Sequence, residues 1–549
     1  MKKAIAIVFA LVLVFSLFAC GTAANTATQS GSPAAPPPSG ASPASPGETS
    51  DAPSTAPAAP VDPLNTDTAG KPTGGIMRIV CTAEGANPIG VPWLVFGVDT
   101  ALLIPVCETL VFERTNGDIV PFLASSYKID LDNKQVVLDL RQGIKFTDGS
   151  DFNADAVVWN LLNDKKANYL STAVTDVVKL GDYQVGLKFE KYANDILSAL
   201  ASHSNAVISK ASYEKNGEEW AKENPVGTGP FMLKSYTHGA SISYTKNSDY
   251  WQKGKPYLDG IEYEFIRDVM TQNVAMQSSG EQSIDVLDTT NGEQVATLKQ
   301  MGFNVNLMPI GPISLVPSSL DQSSPLSKKE VREAISYCLD RQSIVDARGF
   351  DVLTPAYQFI GPAWNGHLPD SYNLSYNLDK AKELMKQAGY PDGFTTTLYA
   401  QPALADKDAA VAIQSMLGQI GIKAELQFPD SGGYSAIRKN GWDGLLIQHT
   451  RSLTQIVSSF NFYFGKTQML LSSLWYPDNM EAAIQEAMTT PDNKTQLETL
   501  SKMIYDNMLI VPVYNLVDCW IAKANIQGAD FTNWGSSTMY LAADAYMTK

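Results

Sequence analysis

Histidine and cysteine are the scarce residues of this sequence, four and five among 549. The histidines, His203, His238, His367 and His449, have no partner at i, i+2 or i, i+4 and no cysteine beside them. No CxxC pair occurs either. These absences exclude a zinc site of ordinary ligand spacing, so no bound metal is expected. GxSxG and HExxH are also missing, and no Ser/His/Asp cluster stands out; neither enzymatic activity nor a cofactor is expected. A basic surplus is lacking, since 57 Asp and Glu outnumber 41 Lys and Arg and the formal charge is −16. An acidic surface disfavours nucleic acid, which is held by basic patches. Beyond Phe18 no apolar run is long enough to span a bilayer.

What is present begins at the N-terminus. Lys2 and Lys3 precede an apolar run from Ala4 to Phe18 that only Ser16 interrupts. This reads as a signal peptide. It closes on Leu17-Phe18-Ala19-Cys20, which resembles the bacterial lipobox, although Phe18 is bulkier than the residue usual there. Residues 1–20 are therefore expected to be a leader, with Cys20 lipidated. Two acyl chains anchor stably because each buried CH₂ contributes roughly 0.8 kcal/mol. Residues 21–74 are largely Ala, Pro, Ser, Thr and Gly. Such a stretch buries too little apolar surface to offset the entropy of ordering it, and reads as an extended linker.

The remaining chain, roughly 475 residues, is long enough for several lobes. Ile76–Cys81, Gln135–Leu140, Tyr183–Phe189 and Gly421–Leu426 read as strands. Leu102–Phe112, Asp155–Leu162, Lys328–Asp346, Leu378–Ala388 and Ala409–Ile420 read as helices, two of them stopped by Gly389 and Gly421. Interleaved strands and helices give an α/β or mixed class. Cys81, Cys107, Cys338 and Cys519 could pair in three ways, and buried free thiols are the expected state.

Five blocks carry a resemblance. They are Cys107-Glu108-Thr109-Leu110-Val111-Phe112 followed by Pro121-Phe122-Leu123-Ala124; Leu140-Arg141-Gln142-Gly143-Ile144-Lys145-Phe146-Thr147-Asp148-Gly149 with Phe152-Asn153-Ala154; Pro225-Val226-Gly227-Thr228-Gly229-Pro230-Phe231 with Asn247-Ser248-Asp249-Tyr250-Trp251; Val331-Arg332-Glu333-Ala334 with Asp340-Arg341; and Ala381-Lys382-Glu383-Leu384 with Ala388-Gly389-Tyr390-Pro391-Asp392-Gly393-Phe394. In this order they resemble the family 5 extracellular solute-binding proteins, the oligopeptide-, dipeptide- and nickel-binding type. The glycines and prolines in them read as backbone devices, and Asp340 and Arg341 as a local pair.

The resemblance implies a two-lobed periplasmic-binding-protein-like α/β fold with a hinge and an additional small domain. Lobe I would be discontinuous, over 75–116, 226–309 and 506–549. The extra domain would be 117–225, and lobe II 310–505. It also implies a monomer that delivers a small solute, peptide-like or otherwise, to the permease and ATPase of an ABC importer. The chain would sit on the extracellular face of the cell membrane, or in a periplasm, attached through the lipid alone. A ligand-dependent sensor and a binder of a nickel or other metal chelate are the alternatives.

In relatives of this kind a ligand-facing loop follows a lobe II strand, here Trp442–Gln448. Oligopeptide binders place an aspartate in that loop for the peptide ammonium. This chain has no Asp or Glu between Gly444 and Ser459, and an unpaired buried ammonium would cost several kcal/mol. His449 and Arg451 are the loop's candidates, Arg451 because a guanidinium forks onto carboxylate or phosphate. Trp93 and Trp364 are candidates for stacking in the cleft.

Overall fold

A computed structural model describes residues 70–548, apart from 82, 83, 86, 96, 115, 281, 282, 402–406, 451–455, 467–469 and 530–541. The chain divides into Met1–Ala58 and Ala59–Lys549, and the architecture below is that of the second unit. The expected leader, Cys20 and most of the linker lie outside the described residues.

A mixed sheet of eleven strands forms the spine. In chain order its principal strands are β1 (Ile76–Cys81), β2 (Phe231–Thr237), β3 (Ser241–Lys246), β4 (Gly260–Phe265), β5 (Val286–Thr289), β6 (Asn304–Pro317), β7 (Phe394–Ala400), β8 (Ile422–Gln427), β9 (Leu445–His449) and β10 (Val511–Ala522). They lie side by side as β8-β7-β9-β6-β10-β5-β1-β4-β3-β2, and Thr354–Pro355 adds a short pairing to β10. β9 and β10 are buried on both faces, so apolar residues run on in them, whereas β8 alternates buried Ile422 and Ala424 with exposed Lys423 and Glu425. On β9, Leu445 and Ile447 enter one hydrophobic cluster while Leu446 enters another. On β1, Ile79 and Val80 divide between two clusters in the same way.

Two long strands join the halves of the sheet. The far end of β10 pairs with β5, Cys519 opposite Thr289. The far end of β6 pairs with β9, Ile313 opposite His449. β6 and β10 also pair with each other along most of their length, from Asn304 opposite Ala522 to Leu315 opposite Val511, and the register slips at Pro309/Gly311 and again at Ile313/Ser314. Such irregularities break a ladder locally and let it bend. The packing partner changes between Met508 and the end of β10: Met508, Val511, Val513 and Tyr514 pack with Leu315 and Leu445, and Val517, Cys519 and Ile521 pack with Val80 and Leu287.

A four-stranded antiparallel sheet, in the order Ala124–Asp130, Gln135–Leu140, Gln184–Phe189, Val174–Gly181, makes the small domain. Val136, Leu138 and Leu140 alternate inward and meet Val157 and Leu161 of the helix Ala154–Lys166. Asn153 caps that helix by accepting from the Ala156 amide.

Two of the sequence blocks meet at one carboxylate. Glu108, 4% exposed, accepts from Tyr250 Oη at 2.6 Å, Trp251 Nε1 at 2.9 Å and Thr228 Oγ1 at 2.8 Å. Burial raises its pKa; those three donors and the charge of Lys255 pull it back, leaving it at about 7. Gly227 and Gly229 run against the backbone here, where an added Cβ would stand 2.1 Å and 2.5 Å from the Val106 carbonyl oxygen. A further block is fixed by two buried arginines. Arg332 donates to the carbonyls of Leu326, Ser327, Asn507 and Met508. Arg341 donates to those of Ser336, Ala356 and Pro512.

Several expectations are revised. Asp340 does not pair with Arg341; it caps the helix Arg341–Arg348 by accepting from Ser343 N, and it separates that helix from Lys329–Cys338. Leu102–Phe112 is not a helix. It is the end of a 3₁₀ segment, then turns, then the short strand Val111–Glu113. Pro105, which lacks a donor amide, explains the break. Cys107, Cys338 and Cys519 are buried free thiols, and Cys81 is a free thiol that is partly buried.

Candidate functional site

A cavity of about 420 Å³ opens between a two-stranded hairpin and the helix Asp195–Ala201 on one side and the segments around Asn365, Ile456 and Lys494 on the other. One wall is the hairpin of Val111–Glu113 with Ile119–Pro121, in which Glu113 faces Ile119. Its turn brings Asn116 and Asp118 to the rim, held by Arg114 N donating to Asp118 O at 2.8 Å. Leu197 and Ser198 of the helix Asp195–Ala201 complete that wall. The opposite wall is Asn365, Ile456 and Val457 at the start of the helix Ile456–Phe464, and the stretch from Pro491 to Leu497.

Polar groups bridge the walls. Asn365 Nδ2 donates to Asp118 Oδ1 at 3.1 Å, and Lys494 Nζ stands 3.2 Å from the same oxygen. Burial opposes charge on Asp118, but hydrogen bonds from Asn116, Asn365 and Lys494 and the Lys494 charge outweigh it, so the carboxyl lies below its usual range. Asn194 occupies the N-cap position of the helix Asp195–Ala201 without capping it. Its Nδ2 reaches instead to the carbonyls of Ala487 at 2.7 Å and Thr490 at 2.8 Å, beyond the cavity. Its own amide donates to Met488 O at 2.8 Å.

Two charged side chains on the wall differ from these. Glu113 is 8% exposed, and its Oε2 has no hydrogen-bond partner. Burial alone pushes its carboxyl well above the ordinary carboxylate range. Arg114 also lines the cavity, and its buried Nε is unpartnered. The arrangement offers an acid, a guanidinium and apolar surface from Ile119, Val120, Leu197 and Val457 to one small guest.

The candidates from sequence are distributed differently. Trp93 is 7% exposed and packs edge-on against Trp159, ring centroids 5.4 Å apart, and against Tyr213 at 6.0 Å. Trp364 is 6% exposed and packs in the cluster of Phe359, Phe460 and Leu497. Both rings sit in hydrophobic core and do not line this cavity. Trp364 does anchor the chain next to Asn365, which reaches Asp118. His449 ends β9; its carbonyl accepts from Gln448 Nε2 at 2.7 Å and Tyr463 Oη at 3.2 Å, and it is not among the residues lining the cavity. Arg451 lies outside the described residues. Among the described residues no group of three or more His, Cys, Asp or Glu is placed to hold a metal ion.

Glu113, Arg114, Asn194, Asn365 and Lys494 were not singled out by sequence. One signal was available for the first two: adjacent opposite charges directly after the apolar Leu110-Val111-Phe112 place ionisable groups at the end of a strand whose other residues are buried.

Comparison with known proteins bears on this site. Residues 118–470 match the family described as bacterial extracellular solute-binding proteins, family 5 Middle. The glutathione-binding protein GsiB of Salmonella typhi is 32% identical over 330 residues, covering 57% of this chain and 62% of that protein. Its counterpart in Escherichia coli K12 is 32% identical over 323 residues, with the same coverage. The chain thus spans 62% of the length of these curated relatives. Among solved structures, HbpA2 from Haemophilus parasuis superposes with a TM-score of 0.75 at 22% identity, covering 86% of this chain and all of that one. DppA from Helicobacter pylori, in complex with the peptide STSA, gives 0.60 at 21% identity, covering 87% and 99%. These structures share the fold.

Proposed function

The chain belongs to the bacterial extracellular solute-binding proteins, family 5, and from that membership we propose that it captures a small peptide-like organic solute outside the cell for an ABC importer. The observation that carries this reading is the cavity of about 420 Å³ whose two walls come from segments far apart in the chain and are linked by Asn194, Asp118, Asn365 and Lys494. A guest between such walls adds contacts to both and so favours the arrangement in which they meet. The curated relatives are named for glutathione, and one solved relative of the fold holds a peptide; both support a peptide-like guest. No covalent chemistry on the guest is proposed. The permease and ATPase of the importer are the proposed partners. The protein is proposed to act as a monomer attached to the membrane through lipid on Cys20, so Cys20→Ala is expected to release it from the membrane fraction.

The test is a thermal-shift screen of the full chain against amino acids, short peptides including glutathione, oligosaccharides and metal chelates. A ligand present at about 100 times its Kd stabilises by roughly 2.7 kcal/mol. Upward shifts from one peptide-like class are expected. Turnover of any of these compounds by the pure protein, or no shift from any class, overturns the reading.

A further inference from the structure

We propose that Glu113 and Arg114 form the recognition pair of the cavity, Glu113 for a ligand ammonium and Arg114 for a ligand carboxylate, so that the solute class is zwitterionic. This deepens the solute-binding reading above and rests on it.

An ammonium taken out of water needs a counter-charge. The loop after β9 holds no acid between Gly444 and Ser459, so the counter-charge must come from elsewhere. Glu113 offers it from the facing wall. It is nine-tenths buried, it lines the cavity, and one of its oxygens has no partner. Glu108, five residues earlier, shows the contrast: both of its oxygens are satisfied by protein donors. Asp118, the next acid along the wall, already meets Asn116, Asn365 and Lys494. Glu113 is therefore an acid on this wall still able to accept from a guest.

The cations divide in the same way. Lys494 is occupied by Asp118. The Arg114 guanidinium makes no ion pair with a described residue and its Nε is unpartnered. Neither Glu113 nor Arg114 pairs with the other, although they are neighbours in sequence. Both are held on a hairpin fixed by the Arg114 N to Asp118 O and Gly117 N to Arg114 O bonds, so little ordering remains to be done on binding.

Burial holds the Glu113 carboxyl protonated to higher pH than usual while the cavity is empty. An arriving ammonium favours the carboxylate, and the displaced proton leaves to solvent. Binding of a zwitterion then releases up to one proton per guest.

The test uses the full chain with matched probes: glutathione, triglycine and alanyl-alanine, each beside its N-acetyl and its ester form. The expected result is that a free zwitterion binds, that acetylation or esterification weakens it by at least about tenfold, and that calorimetry in two buffers of different ionisation enthalpy reports proton release. Glu113→Gln is expected to abolish the proton release and the preference for the free amine, and Arg114→Gln the preference for the free carboxylate. Retained binding of the N-acetyl probe by Glu113→Gln shows that the variant folds. Equal binding of free and acetylated probes, or unchanged selectivity in both variants, overturns the pair. Val120→Trp, which fills the cavity, separates the two levels: binding that survives it overturns the cavity reading itself, whereas binding lost in it but unaltered in Glu113→Gln overturns only the pair.

Discussion

Glu108 provides a quantitative test of how the sequence blocks hold the fold together. Removing its carboxylate in Glu108→Ala leaves Tyr250, Trp251 and Thr228 as three buried donors without their acceptor. Each such donor costs about 1–3 kcal/mol, and water entering the vacated space recovers part of that. The expected net loss is about 4 kcal/mol, among the larger single-site effects. The acid also makes stability depend on pH. Its pKa is about 7 in the folded protein against the ordinary 4.5. Between those values the native state holds a proton that the unfolded chain has released. Stability is therefore complete below the lower value and falls as pH rises through the upper one, by about 3 kcal/mol in all. Glu108→Gln has no proton to hold, so its stability should decline less over the same window by about that amount. Guanidinium denaturation followed by tryptophan fluorescence, at steps from about pH 5 to about pH 8, measures both effects. Parallel pH profiles for wild type and Glu108→Gln, or an Ala variant within about 1 kcal/mol of wild type, would refute the reasoning.

Three other expectations follow from the same geometry. Asn194→Ala removes two bonds to the Ala487 and Thr490 carbonyls and should weaken the link between the two cavity walls by about 1–3 kcal/mol, read as a larger radius of gyration in solution scattering of the ligand-free protein. Arg341→Lys replaces a fork that satisfies four carbonyls and the Ser336 hydroxyl with a single ammonium, at a cost of about 2–4 kcal/mol in denaturant unfolding. Burial and the adjacent Asp518 push Asp288 well above the usual carboxylate range; its contribution is complete below that range and is lost as pH rises through the elevated value. Asp288→Asn should thus melt higher than wild type at mildly alkaline pH and lose this advantage in acid, as followed by calorimetry.

Local structure was readable where local chemistry decides it. Ile76–Cys81 and Gln135–Leu140 appear with the residues their pattern predicts. The helix expected to end at Ala388 ends at Gln387, with Ala388 as its cap. Periodicity misled at Leu102–Phe112, because it does not weigh Pro105 or the pairing of Glu108 with Val207 far along the chain. The family blocks were legible for a related reason: they are the residues that build Glu108, Arg332 and Arg341 into the fold. The cavity was not legible, since Glu113, Asn194, Asn365 and Lys494 meet only after the chain has folded. Tryptophans that drew attention by their size are where size is most useful to stability, in the core.

Consider last the paired strands β6 and β10. A ladder that keeps every rung resists bending along its whole length. Here rungs are missing at two adjacent places, so flexure gathers there and the flanking runs stay stiff. Two stiff runs joined at such a point would act like plates on a leaf spring, where a small rotation at the weak place opens a wide gape at the far rim.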